Sequence, residues 1–97
     1  MATFIVLASF TDLGIRNVKD TTKRADAFAN LAKKHGAALK DIYWTIGRYD
    51  LVAIVEAPDA ATLTALGLTL GKTGNVRTET LSGFSRAEMD AILSKVE

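Results

Sequence analysis

Cysteine is absent from the 97 residues, and its absence removes disulfides, thiolate metal sites and cysteine nucleophiles together. Nothing then supports a secreted, disulfide-stapled scaffold, and the expected compartment is the cytoplasm. An excess of charge of one sign is lacking too. Twelve basic residues face eleven acidic ones, for a formal net charge of +1, so the chain shows no electrostatic footprint for nucleic acid and no polybasic membrane patch. Long apolar runs are missing as well. The N-terminus "MATFIVLASF" has no basic residue ahead of Phe4 to Ala8, its purely apolar run, and it is read as a soluble first strand, neither signal peptide nor spanning helix. Histidine occurs once, at His35, and no carboxylates cluster around it at ligand spacing, so helix-end packing or a dipole interaction is the favoured role and no metal is expected.

What is present is an ordinary globular composition, 48% hydrophobic and 24% charged, in a length that suits one domain over residues 1–97. Thr3 to Ser9 reads as a first strand and Thr11 to Asp20 as a long connection. A helix is expected from about Thr21 to His35, capped by Asp20 or Thr21, with Ala25, Phe28, Ala32 and His35 on one stripe and Gly36 as its stop. Strand two covers about Leu39 to Ile46. Gly47 to Asp50 turn the chain antiparallel into strand three, Leu51 to Glu56. Pro58 cannot continue a central strand, and Asp59 caps a second helix with Leu63, Leu66 and Leu70 on its stripe. Gly71 and Gly74 are expected to end it before strand four, Val76 to Leu81. In the last helix Ser85 and Glu88 form a capping box, Phe84 and Met89 stand at hydrophobic-staple positions, and Met89, Ile92, Leu93 and Val96 make its apolar face.

This order, βαββαβ plus a C-terminal helix, is the α+β ferredoxin-like arrangement with a four-stranded antiparallel sheet. Right-handed crossovers place both long helices on one face of the sheet. The other face is left open, yet strand one alternates Phe4, Val6, Ala8 with Ile5, Leu7, and strand three alternates Leu51, Ala53, Val55 with Val52, Ile54. Both registers are apolar. Whichever one meets the helices, the other needs a cover that one short tail helix cannot supply, and a second copy packed sheet on sheet is the economical solution. The chain is therefore expected to be a homodimer or a higher even-numbered oligomer.

The segments "GIRNVKD" (Gly14 to Asp20), "GRYDLVAIVEAPD" (Gly47 to Asp59) and "GNVRTETL" (Gly74 to Leu81) together resemble the GYD domain family across nearly the whole chain. That resemblance implies a ferredoxin-like dimeric α/β barrel and little about activity. A fainter similarity reaches the effector-binding domain of leucine-responsive and asparagine-type bacterial regulators, which implies an amino-acid-like metabolite bound between subunits at Gly47, Asp50, Thr78 and Thr80. The helix-turn-helix half of those regulators has no counterpart here.

The residues themselves allow blander roles. Gly47 suits a turn needing positive φ, and Asp50 suits an acceptor of backbone amides; this structural reading is weighed above one in which Asp50 meets a ligand ammonium and Thr78 and Thr80 meet its carboxylate. Tyr43, Trp44 and Tyr49 cluster at the hairpin within reach of Arg48, Arg77 and Glu79, framing an interface in preference to a pocket. "GLTLGKT", Gly67 to Thr73, imitates a phosphate loop but has one residue too few between its glycines and follows a helix where a strand is required. No glycine-serine elbow exists for a hydrolase. The sequence thus reads as a homo-oligomeric, non-enzymatic module binding a small metabolite between subunits at Gly47, Tyr49, Asp50, Thr78 and Thr80, without cofactor, nucleic acid or membrane. The alternative is a small cofactor-independent oxygenase or isomerase, which rests on fold analogy.

Overall fold

Strand β1 (Ala2–Phe10) leads into a short helix α1 (Asp12–Arg16), a 3-10 turn over Val18–Asp20 and helix α2 (Thr21–Lys34). Strands β2 (Ala38–Trp44) and β3 (Leu51–Ala57), helix α3 (Ala60–Lys72), strand β4 (Val76–Gly83) and helix α4 (Arg86–Leu93) follow. The structure is a computed structural model and describes all residues, Met1–Glu97. The sheet order is β2-β3-β1-β4 with every pairing antiparallel, the ferredoxin-like topology expected from the element order.

The ends of the elements follow local chemistry. Asp59 accepts a hydrogen bond from the Thr62 amide at 2.8 Å and so caps α3. Ser85 and Glu88 make the full capping box at α4, with bonds of 3.1 and 2.8 Å. Gly36 at φ +72° terminates α2 as a left-handed residue. At the start of α2, however, neither expected cap operates: Asp20 makes no side-chain bond there, because the 3-10 turn feeds directly into the helix. The segment Thr11 to Asp20 is likewise no plain connection. Thr11 accepts from the Gly14 amide at 3.1 Å and caps α1, a signal too short to register as helical periodicity. Gly71 lies inside α3, and Gly74 at φ +80° is the residue that turns the chain out of it.

The two capping carboxyls set a pH dependence. Backbone amides hold Asp59, through Thr62, and Glu88, through Ser85, below the usual carboxylate range. Their contribution is complete above the unfolded carboxyl range near pH 4 and disappears as pH falls through the lower folded values. Helix content by circular dichroism is expected to be flat from neutrality to about pH 5 and to decline below about pH 4, with the decline reduced in an Asp59→Asn, Glu88→Gln double variant. An unchanged acid profile in that variant would assign the loss to other groups.

The register resolves which apolar set meets the helices. Phe4, Val6 and Ala8 of β1 and Ala53, Val55 and Ala57 of β3 are buried, together with Leu63 and Leu66 of α3 and Ala32 of α2. Three of the six strand residues on this face are alanines, Ala8, Ala53 and Ala57, which fill little of the space beneath the helices. The larger aliphatics, Ile5, Leu7, Val52 and Ile54, point the other way and are only half-buried.

Candidate functional site

Pairing carries these outward side chains into two rows across the sheet. One runs Tyr43, Val52, Leu7, Glu79 and the next runs Asp41, Ile54, Ile5, Leu81. The centre is a block of four aliphatics, flanked by Leu81 at 46% exposure and Tyr43 at 61%. The rim is polar: Tyr43 donates to Asp41 at 3.2 Å, Tyr49 donates to Glu79, and Lys40 lies 3.7 Å from Glu56. An apolar centre inside a polar rim is the anatomy of a protein interface.

Helix α4 does not roof this face. Its stripe remains open to solvent, with Leu93 at 51% and Val96, just beyond the helix, at 67% exposure. Two apolar surfaces in one chain therefore lack a cover.

The residues singled out from the sequence separate onto different sides. Gly47 adopts φ +125° in the β2–β3 turn. Asp50 fastens that turn to β1: its Oδ2 accepts from the Phe10 amide at 2.8 Å, and its own amide donates to the Ala8 carbonyl at 2.8 Å. Thr78 and Thr80 pair with Ala8 and Val6 and so share the helix-side face with them. They line a broad groove between α3 and β4. Tyr49, bonded to Glu79, reaches the open side. That hydrogen bond, aided by the Glu79 charge, raises the Tyr49 pKa above the ordinary phenol value, and Arg48 lies 5.8 Å from the ring centroid. Tyr43 is raised in the same way by Asp41. Trp44 departs from the other two rings and donates to Thr21 Oγ1 at 3.0 Å, on the helix side. His35 forms the exposed C-cap of α2. Gly67 to Lys72 of the phosphate-loop look-alike are helical.

Asp50 has a measurable structural duty. Asp50→Ala removes the acceptor of a half-buried amide and is expected to cost about 1–3 kcal/mol in urea unfolding, while Asp50→Asn, which keeps an acceptor, costs clearly less. Equal losses in both variants would show that the carboxylate charge, not the Phe10 bond, matters.

Two features escaped the sequence reading. One is the junction where Gly14 of α1 meets Asn75 ahead of β4. The other is a cavity of about 200 Å³ beneath α2 and α3, floored by Ala8 and Ala53 with Arg24 in its wall. Three alanines in the helix-facing register, Ala8, Ala53 and Ala57, were the available signal that this layer is thinly filled.

A family model described as the GYD domain matches residues 4–93. The chain is 37% identical over 94 residues to a Thermus thermophilus protein named "Glutamine synthetase and cystathionine beta-lyase binding protein", an alignment covering 96% of this chain and 99% of that one. Among solved structures, the crystal structure of TTHA0845, also from Thermus thermophilus, superposes with a TM-score of 0.56 and 26% identity, covering 88% of this chain and 95% of that chain.

Proposed function

Because the chain belongs to the GYD domain family, we propose that it is a non-enzymatic, homo-oligomeric binding module whose open sheet face seats a second copy and whose assembled form docks protein partners. The observation that carries this reading is the block Ile5, Leu7, Val52 and Ile54, larger than the alanine-rich set turned toward the helices and uncovered within the chain.

The size of the effect supports assembly. The four central aliphatics have at most about a third of their surface left to bury and Leu81 and Tyr43 about half, equivalent to roughly 1.4–2.5 fully buried side chains per copy at about 1.5–3 kcal/mol each. A symmetric pair then gains about 4–15 kcal/mol, comparable to the ~4–15 kcal/mol that association costs. The sheet face alone is therefore near balance. The α4 stripe is the second apolar surface that a neighbouring copy buries, and it supplies the surplus.

Protein partners enter from the relative named for binding glutamine synthetase and cystathionine beta-lyase, which matches this chain almost end to end. We extend that kind of partner, a metabolic enzyme, to this chain. Metabolite binding between subunits has narrower support: Tyr49 and Glu79 lie on the face a second copy would cover, whereas Asp50 is committed to Phe10 and the two threonines lie on the opposite side. For the enzyme alternative, the raised pKa values of Tyr43 and Tyr49 suit neither hydroxyl as a base near neutrality.

Light scattering at micromolar concentration should give twice the 10.4 kDa chain mass or a larger even multiple, and a monomer would overturn the assembly. Biolayer interferometry against the host organism's purified glutamine synthetase and cystathionine beta-lyase should detect binding to at least one. Silence with both, from a properly assembled protein, would remove the enzyme-partner half of the proposal.

A further inference from the structure

On the side of the sheet away from the proposed interface, we infer a small-molecule site in the cavity of about 200 Å³ between the sheet and helices α2 and α3. Its ligand class is a small carboxylate with a compact apolar body, aromatic or branched, whose anionic end meets Arg24. The inference is independent of oligomerisation, since the two surfaces lie on opposite faces of the sheet.

The cavity exists because its floor and one wall are built from alanine. Ala8 and Ala53 lie on the sheet and Ala25 on α2, while Val6, Phe28 and Leu70 are among the larger apolar residues around them. An engineered apolar cavity of about 150 Å³ accommodates benzene, so this volume suits a body of about eight non-hydrogen atoms by simple scaling. A steroid or long acyl chain is too large.

Polar groups in the lining are few. Arg24 and Asn75 both line the cavity. The Arg24 guanidinium lies 5.8 Å from the Phe10 ring centroid and donates to the carbonyls of Asn17 at 2.7 Å and Gly14 at 3.3 Å. Two of its five N–H groups are thereby used. No carboxylate neutralises it, for the one ion pair in the chain joins Lys40 to Glu56. A guanidinium held at the rim by two carbonyls, with N–H groups to spare and no counter-charge, suits a carboxylate whose apolar body fills the pocket behind it. Thr69 and Thr73, also at the lining, already donate to carbonyls of their own helix and contribute only lone pairs, whereas Thr21, which accepts from Trp44, keeps a free O–H that can donate to the anion beside Arg24.

The test uses the full chain and phenylacetate, with neutral phenylacetamide as its control. Titration followed by amide NMR shifts at Ala25, Ala53 and Val76 should saturate with phenylacetate at millimolar concentration or below, and phenylacetamide should bind at least tenfold more weakly. Arg24→Gln should lose that tenfold preference, and Arg24→Lys should recover part of it. Ala25→Leu, which places a leucine into the cavity from the α2 wall, should abolish binding while leaving the melting temperature equal or higher, and this keeps the test valid even if Arg24 variants disturb α1. No saturable shift with phenylacetate in the folded wild-type protein overturns the site. Equal binding of acid and amide overturns the role of Arg24, and undiminished binding to Ala25→Leu overturns the location.

Discussion

Replacing Ile5 with lysine is expected to split the proposed sheet-on-sheet assembly into folded monomers. Ile5 sits between Ile54 and Leu81 in its row across the open face, with no carboxylate directly opposite. In an isolated chain the lysine amine reaches water and the change is mild. In a sheet-on-sheet pair, two-fold symmetry would bring two ammonium groups into the interface, where the diagonal carboxylates Glu56 and Glu79 are already engaged by Lys40 and Tyr49, so that each is a poorly compensated buried charge costing about 3–5 kcal/mol. The dissociation constant should therefore rise by more than a thousandfold, and the mass by light scattering should fall to that of one chain at micromolar concentration. Circular dichroism should stay close to wild type, because Phe4, Val6 and Ala8 keep their places against the helices. An Ile5→Lys protein that retains the wild-type mass would show that this face is not the contact.

The second large effect is expected at Gly14. It is buried in α1, and a Cβ built there would fall 1.9 Å from the Asn75 carbonyl oxygen and 2.9 Å from the carbonyl carbon. Both are backbone atoms and cannot swing aside. The same junction holds the Thr11 amide bonded to the Asn75 carbonyl at 3.0 Å and the Thr11 hydroxyl bonded to the Gly74 carbonyl, so a shift of either segment loosens these bonds too. Helix propensity alone would make Gly14→Ala stabilising by about 1 kcal/mol. Overpacking against fixed backbone reverses the sign, and a net cost of about 1–3 kcal/mol is expected, or a melting point lower by about 4–24 °C. Gly67→Ala is the control: nothing lies within 4 Å of its Cβ in α3, and it should stabilise by a few tenths to about 1 kcal/mol. A Gly14→Ala protein at least as stable as wild type would mean that the α1 to β4 approach relaxes freely.

Much of the fold was legible because local chemistry dictated it. Asp59 after Pro58 stops a strand and starts a helix, Ser85 with Glu88 opens another, and Gly36 closes a third, each through bonds made within a few residues. The short helix at Asp12–Arg16 was not legible, since five residues carry too little periodicity and its burial depends on Asn75, far along the chain. The candidate site was read less completely. Gly47, Tyr49, Asp50, Thr78 and Thr80 are near one another in strand order, but alternate residues of a strand face opposite sides, and the loop carries Tyr49 to one side of the sheet while Thr78 and Thr80 lie on the other.

By itself the sequence determined that two central strands are apolar in both registers and that the helices can roof only one face. That much follows from composition and a period of two. Which register faces outward was decided by tertiary structure alone, because Phe4, Val6 and Ala8 are as apolar as Ile5 and Leu7 and only helix packing distinguishes them. The register turned toward α2 and α3 is the alanine-rich one, and that choice both turns the bulky aliphatics outward and leaves the small cavity behind them.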